Sequence, residues 1–375
     1  MERFDTDICI IGGGIVGFAA AWFLSPHRRV VVVEQEDAPG RHASGRSAAM
    51  FMGTYGGDAA RRLAVASKPF FDAPPQGFAD HPLLTARGHL MIASADQLPA
   101  LDAAAARLAD VADLFELIEG AAARRLCPIL RPEAAARALW EPDAADIDVD
   151  VLLQAFVRGA RERGACLLTS APVRSLEPGG NGWSVTTRSH DVRAQVIINA
   201  AGAWADQVAV LAGVAPQGLT PLRRTAILVD PPAGAEIASW PMVADVDEAV
   251  YFKPDAGRLL VSPADETPDT PHDVQPEELD VAVAVDRLMG IAEIDVRRVP
   301  HRWAGLRTFA PDRAPVLGWQ QGAAGFFWAA GLGGFGVQTS AGVGAYVAAC
   351  LAPEAAGGSA LAGDPDFAAL VNPRR

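Results

Sequence analysis

The stretch that most constrains the fold is "DICIIGGGIVGFAAAWFLS", followed closely by "RVVVVEQ". The first apolar run reads as a buried strand of a parallel sheet, and the alanine-rich run after the glycines has helical spacing. The second valine run is another buried strand, ending on Glu34. Strand, glycine turn, helix and strand in about 30 residues predict a βαβ unit. Gly12, Gly14 and Gly17 fit GxGxxG across its turn. The first glycine permits the sharp turn, the second lets the backbone approach a pyrophosphate, and the third allows close helix–strand packing. Glu34 follows Gly14 by 20 residues, where a carboxylate accepts hydrogen bonds from ribose hydroxyls and repels a 2′-phosphate. The unit predicts an adenine-dinucleotide site.

The rest of the chain decides which dinucleotide. Further βα units would be expected over residues 40–150 of a nicotinamide enzyme, and the sequence there does not read that way. "RHASGRSAAMFMGTYGGD" reads as an ordered loop leading into a helix, and "ADQLPALDAAAARLADVADLFELIEGAAARRLCPIL" as helical, broken at Pro99 and Gly120. Residues 219–300 alternate strand-like runs with turns, as in an antiparallel sheet. Near the end, "GFFWAAGLGGFGVQTSAGVGAYVAACLA" predicts a strand, a second glycine turn and a long apolar helix. Two glycine-rich segments so far apart suit a long cofactor held from both ends, which favours FAD over NAD. The expected class is α/β (α+β overall), with a Rossmann-like domain from residues 1–80, 145–215 and 300–375. A substrate domain built on the antiparallel sheet takes residues 81–144 and 216–299.

Composition excludes several alternatives. A net charge of −13 argues against a nucleic-acid partner. The four cysteines, Cys9, Cys127, Cys166 and Cys350, form no CxxC pair and have no histidine cluster nearby, so a metal site or disulfide framework is not expected. No apolar run long enough to span a bilayer occurs, and "MERFD" lacks the basic and apolar regions of a secretion signal. A cytoplasmic enzyme is the expectation.

Arg307 stands among apolar residues in "WAGLRTF". A guanidinium in such surroundings needs an anion, because an unpaired buried charge is costly. An internal ion pair and a bound ligand both satisfy that need, and the residues alone leave the two open.

The stretches "IGGGIVG", "GRSAAMFMGTYG", "FFDAPPQGFADHPLL", "INAAGAWAD", "LAGV", "YFKPDAG", "HDVQPEELD", "WAGLRTF" and "GFFWAAGLGGFGVQTSA" together resemble the D-amino-acid oxidase superfamily of FAD-dependent oxidoreductases. Within it the likeness is closest to the bacterial D-arginine dehydrogenase and D-amino acid dehydrogenase group. The resemblance implies noncovalent FAD contacted by Gly12, Gly14, Gly17, Glu34, and the loop Ser44, Gly45, Arg46, Ser47, Ala48 and Ala49. It adds Val173 at the adenine, Gly202, and the second turn with Gly333, Gly334, Gly336, Val337, Gln338 and Thr339. It also implies that Arg224 and Arg307 clamp a substrate carboxylate, with hydroxyls from Tyr55 and Tyr251. Two planar guanidiniums suit a carboxylate. Arg223 competes with Arg224 for that role, since strand neighbours point to opposite faces.

The implied reaction is oxidative deamination of a D-amino acid, by hydride transfer from Cα and hydrolysis of the resulting imino acid. The arginine-preferring relatives carry a glutamate where this chain has His89, and a histidine and a threonine where it has Met50 and Met52. Met242 and Ala244 make the wall more apolar still, and methionines adapt to varied apolar shapes. The expected substrates are therefore neutral or hydrophobic D-amino acids. Secondary amines such as N-substituted glycines are the alternative, and a non-catalytic FAD-binding subunit a further one. Sarcosine-oxidase relatives place a lysine beside the flavin to activate oxygen. The corresponding strand, "GRLLVSPAD", has none, so an acceptor other than oxygen is expected. Residues 50–57, with Gly53, Gly56 and Gly57, read as a flexible lid carrying Tyr55.

Overall fold

The computed structural model describes residues 2–180, 182–354 and 359–373. Two large sheets organise it. The eight-stranded sheet is centred on Glu2–Ile11, which pairs in parallel with Val30–Val33 on one side and His190–Asn199 on the other. Phe326–Ala330 adds in parallel beside His190–Asn199. The helices Ile15–Leu24 and Ser340–Leu351 pack together on one face, over a core that includes Phe18, Phe156 and Phe327. Both helices start at glycine turns, so their N-termini open on the same edge of the sheet. The predicted βαβ unit is present.

The nine-stranded sheet is antiparallel except where Met242–Asp245 runs parallel to His89–Ala93. One face packs on the helix Glu278–Ile291 through Ile227, Val243, Phe252 and Val261. The other face carries the site. A small third sheet of Met50–Phe51, Leu84–Ala86 and Ala145–Ile147 completes the architecture.

Two sequence expectations change. Residues 301–309, placed with the nucleotide piece, form the strand His301–Phe309 paired along its whole length with Thr220–Val229. The chain rejoins the eight-stranded sheet only at Val316–Trp319. The alanine-rich segment is not continuously helical either. Helix Leu98–Arg107 has its proline in the first turn, where no backbone N–H is needed, and Glu116–Glu119 forms an edge strand before helix Gly120–Leu126. A four-residue strand with glutamates at both ends and Leu117 and Ile118 between them carries little helical or strand signal of its own; its pairing with Arg137–Glu141 decides the outcome.

Candidate active site

The two glycine turns and the Ser44–Ala48 loop face a cavity of about 470 Å³. Gly12 adopts φ +111°, and a Cβ there would meet the Ala200 carbonyl at 2.4 Å. A Cβ on Gly17 would lie 2.0 Å from the Gly12 oxygen, so only glycine lets the helix sit this close to its own turn. Gly14 differs: its nearest neighbour would be the Ser44 hydroxyl at 3.3 Å, and its open side faces the cavity. The Ser44 Oγ accepts from the Ile15 amide at 3.0 Å and so caps the helix from 29 residues away.

Glu34 lines the cavity and is buried, which raises its pKa against the opposing hydrogen bonds from the Glu36 and Gly13 amides. These reach Oε1 at 2.9 Å and Oε2 at 2.6 Å. Each oxygen keeps a further lone pair. Val173, Gly202, Gly333, Gly334, Gly336 and Val337 also line the cavity, as do Arg46, Ser47 and Ala48. Arg46 is largely committed elsewhere: its guanidinium donates to the Ala304 and Val274 carbonyls and pairs with Asp273.

Five of the residues expected at the cofactor stand behind the cavity wall. Gly17 packs helix on strand, and Gly45 donates to the Gly40 carbonyl. Ala49 turns the chain at φ 55°, Gln338 accepts from the Met52 amide at 3.0 Å, and Thr339 bonds the Phe335 carbonyl. Their roles are to shape the wall rather than to line it.

Strand register explains the other end of the cavity. Leu222 faces Arg307 and Arg224 faces Gly305 across the Thr220–Val229 and His301–Phe309 pair. Both arginines therefore share a face, and Arg223 takes the opposite one. Arg223 pairs there with Asp269, Glu277 and Asp280. Arg224, Tyr251 and Arg307 all line the cavity. Arg307 Nη1 donates to the Tyr55 hydroxyl at 3.3 Å and Nη2 to the Tyr251 hydroxyl at 3.4 Å. Burial works against its charge, but the two phenols more than offset this and its pKa is raised. Burial likewise raises the Tyr251 phenol, and the Arg307 and Arg224 guanidiniums outweigh it to leave the pKa below the usual value. A Cβ on Gly334 would crowd Arg307 Nη1 at 3.0 Å and the Tyr55 hydroxyl at 3.2 Å, so this glycine keeps the space open.

Arg224 is already partnered, donating to the Asp265 carbonyl at 2.8 Å and to Glu266 at 3.1 Å. Glu266 in turn bridges to Arg313. Among the described residues no carboxylate is paired with Arg307.

Met50, Met52, Met242, Ala244 and Tyr55 pack with Tyr251 in one apolar cluster behind the clamp, outside the cavity lining. His89 lies beside Met242 in register and is only 4% exposed. Its Nδ1 has no hydrogen-bond partner, and burial pushes its pKa down to about 4. The ring is neutral across the ordinary pH range. The unfolded chain regains a pKa near 6.5, so His89 favours folding above that value and this contribution is lost as pH falls towards about 4. His89→Phe is expected to flatten the acid-side loss of stability in that window, as read by urea denaturation at successive pH values.

The loop 50–57 is not free-standing. Met52 is held by Gln338, and Gly53 and Thr54 both bond to Glu141. Glu141 drew no attention in the sequence because "LWEPD" carries no motif; only the strand pairing places it under the loop. Lys253, on the same face as Tyr251, is 5% exposed and pairs with Asp146 at 2.7 Å, which also binds Arg87. The other lysine, Lys68, pairs with Asp72 on the surface.

Comparison with known proteins places this geometry. The family described as FAD dependent oxidoreductase (DAO) matches residues 7–350. The chain belongs to that family. FAD is the cofactor of that family, and the cavity between the two glycine turns, lined by Gly14, Glu34, Ser44, Val173 and Gly333, is of a kind that suits it. Glycine oxidase of Geobacillus kaustophilus is 23% identical over 87% of this chain and 87% of its own length. Its crystal structure superposes with a TM-score of 0.82, covering 93% of this chain and 95% of that one. The L-α-glycerophosphate oxidase of Mycoplasma pneumoniae, solved with FAD bound, gives 0.83 at 18% identity, over 94% of this chain and 95% of that one. Mitochondrial dimethylglycine dehydrogenase of Rattus norvegicus is 28% identical over 62% of this chain, which matches only 29% of that longer protein. No described helix is long and apolar enough to cross a membrane.

Proposed function

We propose that this flavoenzyme oxidises the carbon–nitrogen bond of a small amino acid, with glycine and N-substituted glycines as the substrate class. The observation that carries the reading is Arg307, an uncompensated guanidinium at the cavity wall flanked by two phenol hydroxyls. A carboxylate is the anion that matches a planar fork with two further O–H donors. The relatives named for glycine and dimethylglycine support the amine part of the reading. FAD, when bound, supplies the two-electron acceptor for a hydride leaving the substrate carbon.

The chain's own residues bind and orient. Arg307, Tyr55 and Tyr251 fix the carboxylate, and Arg224, tethered by Glu266, adds positive potential beside it. Gly334 leaves room where a side chain would press on the clamp. Tyr251 faces the substrate, and the methionines back it from behind the cavity wall. Loss of hydride leaves an imine or iminium, which water hydrolyses to an oxo acid and ammonia, or to the corresponding amine when the nitrogen is substituted. No side-chain base is needed when the amine binds unprotonated. Both lysines are in ion pairs, which supports an electron acceptor other than oxygen.

Neutral D-amino acids are the second reading, supported by the cluster of Met50, Met52 and Met242 around the two tyrosines. Anaerobic mixing of the FAD-loaded protein with each compound, followed by flavin absorbance, separates them. Bleaching by glycine, sarcosine or N,N-dimethylglycine is expected to be faster than by D-methionine, D-leucine or D-phenylalanine. The reverse order would overturn the first reading.

A further inference from the structure

We propose that Glu141 is a positioning residue for the carboxylate clamp, acting through the loop that carries Tyr55. The inference rests on the reading of Arg307 and Tyr55 as the carboxylate site. Glu141 ends the strand Arg137–Glu141, directly opposite His89, on the sheet face that also bears Met242 and Tyr251. It is 3% exposed. Among the described residues no cation pairs with it, so its charge is met only by hydrogen bonds.

Those bonds come from one place. The Gly53 amide donates to Oε1 at 2.6 Å and the Thr54 hydroxyl to Oε2 at 2.5 Å. Burial raises the Glu141 pKa, and these same contacts oppose the rise. The preceding residue, Met52, is fixed by Gln338 from the second glycine turn. Three consecutive residues are thus anchored by two buried side chains from different domains. Tyr55 comes next in the chain, its ring set edge-on to Phe335 at 5.0 Å and its hydroxyl 3.3 Å from Arg307.

A carboxylate with nothing else to bind gains most by holding the loop where both donors reach it. Because Glu141 does not line the cavity and its hydrogen bonds go to Gly53 and Thr54, its effect on substrate passes through those two residues. It also tightens a loop whose three glycines would otherwise leave it loose.

Glu141→Gln keeps one acceptor oxygen, and Glu141→Ala keeps none. In the FAD-loaded protein, Glu141→Gln is expected to raise KM for sarcosine about five- to ten-fold, the scale of one lost hydrogen bond, with little change in kcat. Glu141→Ala should raise it further. In a Tyr55→Phe background the Gln change should add almost nothing, because both changes remove the same interaction. Hydrogen–deuterium exchange at Gly53–Tyr55 should accelerate in Glu141→Gln. Equal KM increases in the two backgrounds, or unchanged exchange at those amides, would overturn the role of Glu141. If Arg307→Met and Tyr55→Phe both leave KM unaltered, the carboxylate reading fails instead, and the exchange measurement still decides whether Glu141 holds the loop.

Discussion

Arg307→Met is expected to lower kcat/KM for the carboxylate substrate about a thousand-fold. The substitution removes a charge paired with the substrate carboxylate in a partly desolvated pocket, a change worth about 4 kcal/mol, and each 1.4 kcal/mol is a factor of ten. Methionine has similar length and no charge to bury, so folding and FAD content should survive. The loss should fall largely on KM, since the carboxylate is held in ground and transition state alike. Arg307→Lys should recover only part of it, because an ammonium cannot present the planar fork that also meets Tyr55 and Tyr251. A modest loss in Arg307→Met with unchanged KM would remove the carboxylate from this site. In that case Arg224, already tied to Glu266, becomes the remaining candidate.

Gly17→Ala and Gly14→Ala should fail in different ways. At Gly17 the added methyl would sit 2.0 Å from the Gly12 oxygen, a backbone atom that cannot swing aside. Helix and strand must separate, costing about 3 kcal/mol or more, and the purified protein should be colourless and melt early. At Gly14 the methyl meets only the Ser44 hydroxyl at 3.3 Å, so the protein should fold normally without cofactor. Its obstruction is to a phosphate approaching the helix N-terminus, so FAD affinity should drop while the melting temperature of the cofactor-free protein holds. Thermal unfolding with and without added FAD measures both. FAD binding by Gly14→Ala as tight as the parent's would place the pyrophosphate elsewhere.

The nucleotide half was legible because its chemistry is local. Gly12, Gly14, Gly17 and Glu34 lie within 23 residues, and the turn between strand and helix dictates their arrangement. The substrate half depends on register between distant strands. Nothing near Arg307 in the sequence reveals that Leu222 faces it, or that Arg223 turns towards the acids of another helix. Glu141 was hidden for the same reason, since its partners lie 87 and 88 residues earlier. The lid expected from Gly53, Gly56 and Gly57 is anchored along residues 52–54: glycine content measures what a free loop can do, and buried acceptors beneath this one hold its first part. His89, expected at the substrate pocket, is instead shut into the sheet with its Nδ1 unpartnered, an environment no spacing rule foretells.

The central strand Glu2–Ile11 bears on how the molecule comes into being. It must wait for His190–Asn199 before it gains its second neighbour, and that strand waits for Phe326–Ala330. A nascent chain therefore emerges with its dinucleotide motif made but its sheet open, and closing it spans most of the sequence. Such non-local pairing is slow and leaves strand edges exposed meanwhile. The Ser340–Leu351 helix, which packs on the first helix, arrives later still. Flavin loading is therefore expected only after most of the chain has been made, and neither sheet is a contiguous segment of the sequence.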